Sequence, residues 1–166
     1  TFSGLLTQTG NRTFLNNMTG ILRFGDIDLS NSVSNRNITF TGTGDTVVNG
    51  VIANGGGSVS GGIIKNGNGK LTLNGSNTFG GTRTVNVGTL EFGNDNALGT
   101  GSLSLRNANF MGNGVTHTIS NTLLGDGAPT FIGTSDLIFT GDLNNSGNRT
   151  FTNDMTGTLS FNNINL

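Results

Sequence analysis

Residues 10–24 read G-N-R-T-F-L-N-N-M-T-G-I-L-R-F, and residues 147–161 read G-N-R-T-F-T-N-D-M-T-G-T-L-S-F. The match extends outward without gaps. Residues 1–29 align to residues 138–166 at an offset of 137, with 16 identities in 29 positions. Biased composition does not account for this, because Arg12/Arg149 and Met18/Met155 belong to residue types that are scarce here. The chain is read as one copy of a 137-residue repeat and the start of the next, an internal segment of a longer tandem-repeat protein. It begins at Thr1 rather than Met and shows no signal peptide, so any targeting element is expected elsewhere in the parent.

A shorter rhythm runs inside the long one. The pattern G-x-L-x-[L/F] occurs at Gly20–Phe24, Gly69–Leu73, Gly88–Phe92, Gly101–Leu105 and Gly157–Phe161. Apolar and polar residues alternate in each, the period of a strand with one buried face. Further strands are expected at 38–40, 46–53, 84–87, 115–119, 130–132 and 136–139. Gly, Asn or Asp stands at nearly every junction, and these residues accept the backbone angles of tight turns. No stretch keeps helical spacing for more than a turn. Short strands at even spacing suit a sandwich, a barrel or a solenoid. The long repeat, the near-copied units and an Asn content suited to side-chain ladders at coil corners favour a solenoid. At roughly 20–25 residues per coil, the whole chain forms one domain of about seven coils. With strands about 4.8 Å apart, it stands roughly 35 Å tall.

Composition agrees. The chain has 29 Gly, 26 Asn and 25 Thr, so three residue types supply nearly half of its 166 residues. Only 10% are charged, against about a quarter in typical soluble domains. A disordered chain lacks apolar residues and carries net charge, whereas this one is 32% hydrophobic with a formal charge of -1. That balance argues against nucleic acid, which needs clustered Lys and Arg. No apolar run is long enough for a transmembrane helix. The absence of Cys excludes disulfides and thiolate metal sites and is compatible with export through an oxidising envelope.

Residues 61–105 closely resemble the autotransporter-associated β-strand repeat, also called the passenger-associated transport repeat. Its core, K-x-G-x-G-x-L-x-L-x-G-x-N-T-[Y/F], is matched by Lys65, Gly67, Gly69, Leu71, Leu73, Gly75, Asn77, Thr78 and Phe79. Its second part, G-x-T-x-V-N-x-G-x-L, is matched by Val85, Asn86, Gly88 and Leu90. Phe79 stands where Tyr is common, and Thr82 where a second Gly is frequent. The resemblance implies a right-handed parallel β-helix on the surface of a Gram-negative bacterium. It also implies type V secretion through an outer-membrane barrel, and a repeat that assists export by folding coil by coil. It implies no enzyme activity.

Several residues are candidates for chemistry in their own right. Asp26 and Asp28 flank inward Ile27 and would share an outer face, where paired carboxylates could do acid–base work or hold Ca²⁺. In the second copy they become Asn163 and Asn165 while Ile164 and Leu166 are kept, so a solvated outer face is the better reading. His117, the single histidine, shares parity with Val115 and Ile119 and is expected to point inward or to a coil edge as a hydrogen-bonded structural residue, since no Ser or Cys constellation surrounds it. Asp95 and Asp126 lie in turn sequences. The stretch 55–62 is read as a loop rather than a phosphate cradle, because no helix or Lys-Ser/Thr follows it. No catalytic, cofactor or metal site is expected. The sequons at Asn11, Asn17, Asn37, Asn74, Asn144 and Asn148 follow from composition.

Three functions then stand in order. The first is a structural stalk or extracellular fibre, associating end to end because both ends fall in the duplicated element. The second is an adhesin whose loops at 55–62 or 107–114 touch glycans or cells, disfavoured by the absence of Trp and Tyr. The third is a polysaccharide-cleaving β-helix enzyme.

Overall fold

The structure, a computed structural model, describes residues 1–29, 36–55 and 61–166. Its described strands all pair in parallel and stack into a β-solenoid with three sides. The chain visits the sides in turn. β1 (Leu6–Thr7) lies on the first side, β2 (Arg12–Leu15) on the second and β3 (Leu22–Phe24) on the third. β4 (Ile27–Asp28), β5 (Asn37–Thr41) and β6 (Thr46–Val48) repeat the circuit, as do β7 (Ile52–Ala53), β8 (Gly62–Lys65) and β9 (Lys70–Leu73). From there the first side is an irregular segment for two coils, held in place by Thr78 N–H donating to Ile52 O and Thr100 N–H to Phe79 O. The second and third sides continue as β10 (Arg83–Val85), β11 (Thr89–Phe92), β12 (Leu103–Leu105) and β13 (Asn109–Gly112). β14 (His117–Ile119) restores the first side, followed by β15 (Leu123–Gly125) and β16 (Thr130–Gly133).

β17 (Leu137–Asn145) turns a corner without breaking. Its first part pairs β14 on the first side, and its second part pairs β15 on the second. β18 (Thr152–Met155) ends the third side, whose seven strands mark seven coils. β19 (Leu159–Asn165) follows β17 around its corner with a register shift between Phe139 and Asp142. Coil length changes along the stack. Ile27 pairs Ile52, 25 residues on, whereas Leu103 pairs Leu123, 20 residues on.

The core follows from the alternation. On the third side Leu71, Leu90, Phe110 and Phe131 form one inward column. On the second, Ile38, Ile63, Leu103, Leu123 and Leu143 form another, broken by Arg83. Ring pairs run up the interior, Phe92–Phe110 at 6.5 Å and Phe139–Phe161 at 5.3 Å between centroids. Such columns exclude water from a core that no single coil could bury alone.

Two expected strands have different bounds. The strand expected at 46–53 is two strands on two sides, because Asn49 and Gly50 turn the chain between β6 and β7. The stretch at 136–139 belongs to a strand that runs on to Asn145. The G-x-L-x-[L/F] units are distributed over all three sides. Those in β3, β9 and β11 lie on the third side, the one in β12 lies on the second, and Leu159–Phe161 lies on the first. Each side makes the same demand on the pattern, so the pattern does not specify the side.

Candidate functional site

Most polar side chains that the fold buries serve to join coils. Lys65 occupies a core column between Phe40 and Val85. Its Nζ donates to the carbonyls of Gly67 at 2.6 Å, Asn66 at 3.1 Å and Val87 at 3.3 Å. Burial lowers its pKa to about 8, opposed by the Asp45 carboxylate. One coil later Arg83, 1% exposed, donates to Phe79 O at 2.6 Å and to Gly81 O, with its guanidinium 4.2 Å from the centre of the Phe79 ring. Burial lowers its pKa to about 10. Both cations are thus held by carbonyls at the coil corners.

Asn77 joins three coils. Ile52 N–H donates to its Oδ1 at 2.7 Å, and its Nδ2 donates to Ala97 O at 2.6 Å. Asparagines nearer the surface add ladders, with Asn74 donating to Asn49 at 2.9 Å and Asn86 to Asn66 at 2.6 Å. Of the motif residues, Leu71, Leu73, Phe79, Val85 and Leu90 are core. Gly67, Gly69, Gly75 and Gly88 form corners, where the adjoining coil leaves no room for a Cβ. Thr78 faces outward on the irregular side.

His117 points inward and is 4% exposed. Nδ1 lies 2.9 Å from Asp95 Oδ1 and Nε2 lies 2.9 Å from Asn113 Oδ1. The carboxylate accepts only, so Nδ1 carries a proton. The same Asp95 oxygen accepts from Thr118 N–H at 3.3 Å. Ser135, buried beside this group, accepts from Gly114 N–H at 2.8 Å. A base needs a proton to take from within hydrogen-bond reach. Here the second ring nitrogen is occupied by a carboxamide, which fits a structural brace. Asp126 likewise does more than turn the chain, accepting from Ser104 Oγ across a coil at 2.5 Å.

Asp26 and Asp28 flank buried Ile27 as the alternation requires, Asp26 exposed and Asp28 half-buried. Asp26 Oδ1 accepts from Val51 N–H of the next coil at 2.7 Å, a bond that an Asn can also make. Of the loop at 55–62, residues 56–60 lie outside the described residues. Among the described residues no group of three or more His, Cys, Asp or Glu could hold a metal ion. Sequence reading did not single out Arg83, or the ion pair in which Lys70 Nζ lies 2.6 Å from Oε2 of buried Glu91. A cation at an inward strand position was the available signal for Arg83.

The duplicated segments pair with their own neighbours in the same way. Phe2 pairs Phe24, Leu6 pairs Ile27 and Thr7 pairs Asp28 in the first copy. Phe139 pairs Phe161, Leu143 pairs Ile164 and Asn144 pairs Asn165 in the second. The side differs, however. Phe24 is on the third side and Phe161 on the first, while Ile27 is on the first and Ile164 on the second. β3 and β18 are the two ends of the seven-stranded side, so the long repeat spans six coils and one further side.

No family model, curated protein or solved structure matches the chain. The likeness to the autotransporter-associated repeat is therefore carried by the motif residues alone. The chain is a parallel β-solenoid repeat protein.

Proposed function

We propose that this chain is a structural segment of a secreted, autotransporter-like surface protein, serving as a rigid extracellular stalk or fibre. The observation that supports this reading most is the use of buried polar chemistry. Lys65, Asn77 and His117 reach oxygens one coil away, at Val87, Ala97 and Asp95, while Arg83 braces the corner of its own coil through Phe79 and Gly81. Load along such a rod is shared by parallel backbone hydrogen bonds and by stacked apolar columns. Export would follow the same geometry, since each arriving coil finds a completed edge to pair with. A parallel solenoid exposes a sheet edge wherever its stack stops, and a head-to-tail contact that does not close gives a filament.

Electron microscopy and sedimentation of the concentrated chain test the proposal together. Filaments with a meridional repeat near about 4.8 Å are expected. Dispersed monomers at every concentration would remove the fibre reading.

A further inference from the structure

The corner between β13 and β14 holds a pair of residues able to react with each other, set among groups that activate both. Asn113 and Gly114 stand there in sequence, and both are exposed. The nitrogen of a Gly and the carboxamide carbon of the Asn before it are the two ends of a five-membered ring. Gly has no side chain to obstruct its closure. The chain has six Asn-Gly pairs, beginning at Asn49, Asn54, Asn66, Asn68, Asn74 and Asn113.

Among the described residues, only at Asn113 do side chains bear on both reacting groups. His117 Nε2 lies 2.9 Å from Asn113 Oδ1, and Ser135 Oγ accepts from Gly114 N–H at 2.8 Å. Asp95 aligns the imidazole from its other edge, with Oδ1 2.9 Å from Nδ1. Both ring nitrogens thus face oxygens, and a ring protonated at both donates to each. Successive coils supply the set, Asp95 from the coil before and Ser135 from the coil after. A methyl on Gly112 would sit 3.0 Å from Ser135 Oγ and 3.3 Å from His117 Cδ2, so the two groups close on one corner. At Gly114 nothing lies within 4 Å of a Cβ, which leaves space for ring closure and for water. The other pairs are engaged differently. Asn49 and Asn66 accept at Oδ1 from the carboxamides of Asn74 and Asn86, and Gly69 N–H donates to the Gly42 carbonyl at 3.0 Å.

We infer that Asn113–Gly114 is a self-modification site, at which His117 and Ser135 promote closure of a succinimide with loss of ammonia. The Gly114 nitrogen attacks Asn113 Cγ. His117 donates to Oδ1 as negative charge builds there, and Ser135 holds the N–H proton that the nitrogen must give up. The N–Cγ bond forms and the Cγ–Nδ2 bond breaks. Nδ2 leaves as ammonia, taking the proton lost from the Gly114 nitrogen. Water then opens the imide. Attack at Cγ gives aspartate, and attack at the Asn113 carbonyl gives isoaspartate, which lengthens the main chain by one methylene. Aspartate there faces the His117 ring where the carboxamide now lies and adds an ion pair to the clasp between coils. Asp95 and Ser135 reach the corner only when the flanking coils have stacked, so the reaction belongs to the folded rod.

Peptide mapping by mass spectrometry, on the folded chain held at neutral pH, tests this with internal controls. Asn113 is expected to convert roughly tenfold faster than the coil-corner residues Asn49, Asn66, Asn68 and Asn74. In urea that lead should vanish, since only the fold assembles the activating groups. His117→Gln and Ser135→Ala should each slow Asn113 by roughly tenfold and leave the four control rates unchanged. A variant that unfolds is recognised by control rates that rise to their urea values, and the native chain with and without urea then decides. Conversion of Asn113 no faster than the controls in the folded chain would overturn the inference. A lead that survives in urea, or in both folded variants, would overturn it as well.

Discussion

Phe24 and Phe161 hold the same place in a duplicated sequence and lie on different sides of the solenoid. Both face the interior and both stack against their own partner, Phe2 at 5.3 Å and Phe139 at 5.3 Å. What differs is the coil above, present over Phe24 and absent from the described residues over Phe161. Phe24→Ala should therefore cost about 3–5 kcal/mol in urea unfolding of the dispersed chain, and Phe161→Ala less than about half of that. Equal losses would mean that the two ends of the stack are equally covered.

Lys65 gives stability a pH dependence of definite sign. Its folded pKa of about 8 lies below the ordinary 10.5 because the ammonium is desolvated. Between those values the unfolded chain binds more protons, so stability rises with pH across the window. Below about 8 the ammonium is charged in both states and its burial cost is fully present. The melting temperature, followed from pH 7 to 10.5, should climb more steeply in the native chain than in Lys65→Met. Parallel curves would show that Lys65 keeps an ordinary pKa.

Asn77 should behave as a rivet through three coils. Asn77→Ala leaves the Ile52 amide and the Ala97 carbonyl buried without their partner, for a loss of about 2–3 kcal/mol. Amide exchange at Ile52 should accelerate more than exchange at Ile63, which is bonded elsewhere, to Thr82 O. Uniform acceleration at both sites would point to a global effect.

Gly88 and Gly114 separate two reasons for a glycine. Both have positive φ, 80° and 106°. A methyl on Gly88 would press on Gly67 O and sit 2.7 Å from Lys65 Nζ, whereas at Gly114 nothing lies within 4 Å. Gly114→Ala should cost about 1–2 kcal/mol for conformation alone. Gly88→Ala should cost more than about 3 kcal/mol, since the conformational and steric penalties add. The two melting curves, measured side by side, check this directly.

Much of the candidate site was legible as residue types and little of it as contacts. Parity with Ile119 left His117 inward or at a coil edge, and the structure places it inward. Its partners Asp95 and Asn113 did not follow from parity, because 22 residues separate His117 from Asp95 and only the coil length brings them together. Lys65 was visible as a motif residue, but nothing in K-x-G-x-G says that the ammonium turns into the corner carbonyls. Arg83 stood outside the strand expected at 84–87, and only the register placed it between Ile63 and Leu103.

The sequence by itself determined that this chain is a stack of parallel coils. Period-two alternation, turn residues at even spacing and a 137-residue echo admit few other ways to bury so many short apolar strips. It also determined which apolar residues of the G-x-L-x-[L/F] strips face in, since alternation survives any choice of side. Only the tertiary structure decided the side on which each strip lies, the change from 25- to 20-residue coils, and the displacement of the second copy by one side. The physical reason is that alternation is a local property, felt within one strand. The side is set by summed corner lengths over many coils, and each corner is closed by hydrogen bonds to a neighbour about twenty residues away in sequence.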